Sequence, residues 1–232
     1  MVIHLEDNFF DVPNLRNRTA VFGSREHAGE ILSEMLMQYK NTGAAVFAIP
    51  AGGVPVGAVV ASKLRLSLDV AVISKITLPW NTEAGYGAVA FDGTVRLNEE
   101  MVSRIGLKDE VIQAGIGQTL NKVKKRVAEF RGGKPPIQVD GRSVILVDDG
   151  IASGFTMLVA VEALRKAGAA RIIVAVPTAH LEAVEFVLPS VEEVYCANLR
   201  SEWAFAVADA YQHWSDVSEE EVTELLSSFR NL

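Results

Sequence analysis

Apolar residues in this chain fall into short unbroken runs, with amphipathic stretches between them. Val46-Phe47-Ala48-Ile49, ended by Pro50, reads as a buried strand, and so do Asp69 to Ser74, Val144 to Val147, Arg171 to Val176 and Val191 to Cys196. The intervening stretches repeat at helical spacing. Ser24 is placed to cap a helix over about 25–40, with Ile31, Leu32, Met35 and Leu36 on one face. Gly52-Gly53 turns the chain into a second helix from about Val54 to Leu66. Ile112, Ile116, Leu120, Val123, Val127 and Phe130 mark a long helix over 109–130, stopped by Arg131-Gly132-Gly133-Lys134-Pro135-Pro136. Another helix spans about 155–167, with Gly168 at its C′ position, and Ser218 with Glu221 forms a capping box for a last helix through Phe229. Residues 77–98 are rich in Gly, Thr, Asn and Pro and predict a long loop, with room for a hairpin.

Unbroken apolar strands alternating with helices predict an α/β fold whose central, mainly parallel sheet is covered on both faces. Ligands of such sheets sit at the carboxyl ends of the strands. One stretch, 44–61, has no charge and reaches the length of a membrane span, but Pro50, Gly52, Gly53, Pro55 and Gly57 make it a strand, a turn and a helix start. The amino end, Met1 to Asp7, has no basic segment and predicts no signal peptide, and with it a cytoplasmic protein. No composition shift or linker divides the 232 residues, so a single domain is expected, with its core over about 22–200.

Composition then removes several functions. The net charge of −7 disfavours nucleic acid as a partner, since phosphate backbones demand a basic footprint. A single cysteine, Cys196, excludes an internal disulfide and a cysteine-cluster zinc site, and it reads as a buried thiol. His4, His27, His180 and His213 have no metal-ligand spacing. Lys122, Lys124, Lys125 and Arg126 read as a solvated helix face. Trp203, Phe205, Tyr211 and Trp214 read chiefly as packing residues, with capping of a bound base as the other reading.

The richest chemistry lies in Val147-Asp148-Asp149-Gly150-Ile151-Ala152-Ser153-Gly154-Phe155-Thr156. Two carboxylates end a buried strand, a loop of small residues follows, and a helix begins. Backbone N–H groups at a helix start form an anion site, and Ser153 and Thr156 add hydroxyl donors. Asp148 and Asp149 are placed as acceptors for paired sugar hydroxyls, directly or through a metal. The Gly-Lys-Ser/Thr of a Walker loop and the spacing of a dinucleotide fingerprint are both missing.

That stretch resembles the phosphoribosyl-pyrophosphate (PRPP) signature of type I phosphoribosyltransferases, and the similarity runs from about Phe22 to Leu226. In particular it resembles a prokaryotic group with no established acceptor. The resemblance implies that Asp148 and Asp149 hold the ribose 2′- and 3′-hydroxyls and that Ala152, Ser153, Gly154, Phe155 and Thr156 cradle the 5′-phosphate. It places pyrophosphate on the turn Ala51-Gly52-Gly53, with Lys75 facing it, so that Asp148, Asp149 and Lys75 carry catalysis. It makes 77–98 a mobile loop over the site, with Gly85 and Gly87 as hinges and Glu83 against the ligand. It also implies Mg²⁺ bound through PRPP, with Asp148 and Asp149 as its candidate protein ligands, a nitrogenous-base acceptor under a small hood built from both terminal segments, a homodimer, and no nucleic-acid or membrane partner. Two positions depart from the resembling proteins, Ala51 and Ser74, where they usually and often carry Arg. The residues therefore leave open a transferase, a non-catalytic PRPP- or nucleotide-sensing module, and, less well matched, a phosphosugar hydrolase with Asp148 as nucleophile.

Overall fold

The structure is a computed structural model and describes residues 7–229, without the side chains of Thr82 and Glu83. The amino-terminal stretch 1–6, with His4, lies outside the described residues.

Six strands form one sheet: β1 (Phe9–Asp11), β2 (Ala45–Ala48), β3 (Ser67–Val70), β7 (Ser143–Val147), β8 (Arg171–His180) and β9 (Glu193–Arg200). Their order is β1-β9-β8-β7-β2-β3, and every pairing is parallel. Alternate residues of each strand feed opposite layers, which is why the strands look uniformly apolar in sequence. Val46, Ala48, Ile145 and Val147 pack under α1 (Arg25–Met35), α2 (Gly53–Leu64), α4 (Asp109–Arg131) and α7 (Glu219–Phe229). Ala45, Phe47, Val144 and Leu146 pack on the other side, against α5 (Phe155–Lys166) and α6 (Leu181–Val187).

The expected caps form. Ser24 Oγ accepts the His27 N–H, and Ser218 and Glu221 exchange side-chain and backbone bonds of 3.1 Å each. Gly132, in the left-handed region, ends α4. Cys196 is a fully buried free thiol whose pKa is pushed up by that burial. No helix among the described residues is long and apolar enough to cross a membrane.

Three readings of the sequence are corrected. The apolar run 69–74 is two strands in two sheets. The chain leaves the parallel sheet after β3, where the buried Asp69 accepts from Val70 N–H, Ile137 N–H and Arg131 Nε and so ties the edge strand to the end of α4. Residues 77–98 are not a long loop. They contribute to an antiparallel sheet of β4 (Ile73–Leu78), β5 (Asn81–Ala90) and β6 (Val95–Leu97), which packs between α4 and α5. The pairing shifts register around Ile76, Thr77 and Leu78, which removes the two-residue period a reader looks for. Finally, β8 continues through Pro177 to His180. The proline lies beyond the end of β7, which stops opposite Ala175, so the missing N–H costs no ladder bond on that side. The short elements β1, α3 (Glu99–Ile105) and α6 carry no strong pattern in the sequence.

Candidate active site

Register builds the site. Ala48 lies opposite Val147, and Ile49 N–H donates to Val147 O at 2.8 Å, so the chain leaves β2 and β7 side by side at their carboxyl ends. The turn 50–53, which contains a cis Pro50–Ala51 bond, thus falls directly on Asp148 and Asp149. A Cβ on Gly52 would stand 1.9 Å from Asp149 Oδ2, and one on Gly53 would stand 2.9 Å from Asp148 Cα. Glycine at both positions is what lets the turn approach the acids. Gly53 and Val54 donate back to Ile49 O and Ala51 O. The N–H groups of Ala51 and Gly52 have no protein acceptor among the described residues.

The loop after the acids is shaped in the same way. Gly154 adopts φ +77°, a conformation that favours glycine, and starts α5. Among the described residues, the N–H groups of Ala152, Ser153, Gly154, Thr156 and Met157 donate to no protein acceptor. That is a concave array of donors at a helix start, with the Ser153 and Thr156 hydroxyls beside it.

The two carboxylates differ in their surroundings. Asp148 Oδ1 accepts the Asp149 N–H at 2.8 Å. Asp149 Oδ2 accepts from Arg25 Nε at 2.9 Å, and the Asp149 carbonyl accepts the Tyr211 hydroxyl at 2.7 Å. Burial, then the neighbouring Asp149 charge, holds Asp148 well above the usual carboxylate range. Burial also raises Asp149, and Arg25 opposes that shift. Tyr211 is buried and its pKa is raised, by burial first and Asp149 next.

Lys75 projects from β4 into a cavity of about 320 Å³ that it shares with Gly85, Gly87, Ser153, Phe155 and Thr156. The small sheet is carried there by α5: Arg96 pairs with Glu162, and Lys166 Nζ donates to Thr94 Oγ1 at 3.0 Å. Gly85 and Gly87 lie inside a strand, and a Cβ on Gly87 would stand 2.8 Å from Arg96 O, so close strand packing requires that glycine. The Glu83 side chain lies outside the described residues. A larger cavity, about 840 Å³, lies between α1, α2 and α7 and holds none of these residues.

The terminal segments meet over the acids. Phe22 bridges Tyr211, Ala20 N–H donates to Asp209 O, and Gln212 N–H donates to Phe22 O. A Cβ on Gly150 would stand 2.5 Å from Val207 Cγ1, which shows how tightly this strap sits on the loop. Of the C-terminal aromatics, Tyr211 is core, Trp214 stacks on Arg25 at 4.0 Å, Phe205 lies against His180 and Arg200, and Trp203 is fully exposed.

Residues 18–212 match the phosphoribosyl transferase domain. The chain belongs to the phosphoribosyl transferase family. Two Mycobacterium tuberculosis proteins, from strains CDC 1551 and H37Rv and each named "Putative phosphoribosyl transferase", are 33% identical to it over 206 residues, 89% of this chain and 46% of each relative. The chain thus spans about half the length of these curated relatives. The crystal structure of TT1426 from Thermus thermophilus superposes with a TM-score of 0.74 at 32% identity, covering 90% of this chain and 98% of that one.

In this member of the phosphoribosyl transferase family the sequence-derived site residues form two groups. Asp148 and Asp149 are joined to Gly52 and Gly53, and Lys75 is joined to Ser153, Phe155 and Thr156. The loop 150–154 connects the two groups. Arg25 and Asn98, which also lines the Lys75 cavity, escape a sequence reading, and Tyr211, read there as a packing residue, is core and also holds the Asp149 carbonyl. Ser24 marks the start of α1, but nothing local says that the next residue reaches an acid 124 positions away.

Proposed function

We propose that this protein binds PRPP and transfers its ribose 5-phosphate to a nitrogenous base, with release of pyrophosphate. The observation that carries the reading is the packing of the 50–53 turn onto the acid pair, one loop away from the donor array at 152–157. That order, anion site, diol acceptors, anion site, matches a sugar with phosphate groups at both ends. The 5′-phosphate takes the backbone array and the Ser153 and Thr156 hydroxyls. Asp148 and Asp149 accept the ribose hydroxyls, and Ala51 and Gly52 N–H groups meet the pyrophosphate, while Lys75 shares the cavity of Ser153 and Thr156 and is a point charge on the 5′-phosphate side. Glycosyl transfer passes through an oxocarbenium-like state, and two carboxylates beside the ribose lower its energy electrostatically.

Among the described residues no three carboxylate, histidine or cysteine side chains gather as a metal cage. Asp148 and Asp149 are adjacent in the chain, and each keeps one oxygen that receives no donor among the described residues. That set fits Mg²⁺, which commonly uses one or two carboxylates plus substrate phosphates. When bound, Mg²⁺ supplies Lewis-acid charge to the departing pyrophosphate. The strap of residues 201–214 is the hood over the acceptor.

Calorimetry tests the reading. The parent protein should take up PRPP saturably in Mg²⁺, and the Asp148→Asn/Asp149→Asn protein should not. No uptake by the parent removes the reading. A sensing module that does not turn over is the second reading, favoured by the uncharged Ala51 and by Ser74, which is buried and alternates away from Lys75 along β4. Binding without acceptor-dependent turnover decides for it.

A further inference from the structure

Arg25 holds an unusual position for a residue with no part in the assignments above. It occupies the first position of α1 and is only 9% exposed. Its Nε donates to Asp149 Oδ2 at 2.9 Å, one terminal nitrogen donates to Ser215 O at 2.8 Å, and the guanidinium lies under Trp214 at 4.0 Å. A guanidinium has five N–H donors. Two are used, and the other terminal nitrogen has no partner among the described residues, yet it is not sealed from solvent. The carboxylate oxygen that Arg25 grips is the same oxygen that would lie 1.9 Å from a Cβ on Gly52. One carboxylate therefore separates this guanidinium from a turn whose Ala51 and Gly52 N–H groups also have no acceptor among the described residues, and whose side chains carry no charge.

We propose that Arg25 is a pyrophosphate-binding residue, whose open edge takes an oxyanion of the group held at the 50–53 turn. The proposal rests on the PRPP reading. A buried cation with donors to spare is completed by an anion arriving beside it, and charge-assisted bonds of this kind are the strong ones. Helix α1 thereby supplies the cation that position 51 lacks.

The test compares Arg25→Gln with the parent, using inorganic pyrophosphate and ribose 5-phosphate as separate probes, both in Mg²⁺ and by calorimetry. A pyrophosphate contact predicts at least tenfold weaker pyrophosphate binding and less than a threefold change for ribose 5-phosphate. Arg25→Lys, which keeps the charge, should recover most of the loss, and thermal melts should show both variants folded. Unchanged pyrophosphate affinity overturns the proposal. So does an equal loss for both probes, which is what a mere clamp on Asp149 gives. If the parent binds neither probe, the PRPP reading falls and takes this assignment with it.

Discussion

Asp148 and Asp149 are held at a cost to the fold. A carboxyl that binds its proton more tightly in the folded than in the unfolded chain makes the folded state lose stability as pH rises above the ordinary carboxylate value of about 4. Asp148 is raised mainly by burial, and Asp149 adds like-charge repulsion. Asp148→Asn should therefore raise the melting temperature of the ligand-free protein at pH 7.5, and the gain should vanish towards pH 4. Scanning calorimetry at the two pH values checks this, and a lower melting temperature at pH 7.5 contradicts it. Binding should move the other way. Asp149→Asn, and Asp148→Asn to a lesser degree, should weaken PRPP in Mg²⁺ by about 1.5–3 kcal/mol through loss of a charged hydrogen-bond partner. Unchanged affinity in both variants removes the pair from the site. Both acids were legible in the sequence because they are adjacent and follow an apolar strand. Arg25 was not, because only the packing of α1 against α2, β8 and β9 brings it to Asp149.

At the scale of elements, two loops make the site, and each depends on a glycine for its approach. Gly52→Ala would drive a Cβ into the Asp149 carboxylate. The fold should survive with about 1–3 kcal/mol of strain, while PRPP affinity falls at least tenfold. Retained affinity would mean that the turn does not set the position of Asp149. The antiparallel sheet β4-β5-β6 is the element the sequence hid. Its glycines, its register shifts and its buried Tyr86 obscure any period, so a reader sees a loop. Its base is tied to α5 through Arg96–Glu162 and Lys166–Thr94, and the turn between β4 and β5 presents the exposed Trp80. Movement over the site should therefore be confined to the tip. Hydrogen exchange should slow over about 77–86 when PRPP and acceptor are both bound, with little change over 87–97. Equal exchange with and without ligands excludes a closing tip.

For the whole molecule, the parallel sheet aims the ends of β2 and β7 at one point, and the terminal segments close over it. That architecture was legible from the alternation of apolar runs and amphipathic helices, since both follow from burying a sheet on two faces. The strap around Tyr211 was not, because its residues have no period and owe their place to contacts with Phe22, Asp149 and Gly150. The central claim is that this assembly moves ribose 5-phosphate. The most direct measurement is release of labelled pyrophosphate from PRPP, followed with Mg²⁺ and a panel of nitrogenous bases, by the parent and by Asp148→Asn/Asp149→Asn. The account predicts release that requires both an acceptor and the two acids. Release that persists in the double variant, or none from the parent with any base while PRPP is bound, would contradict it.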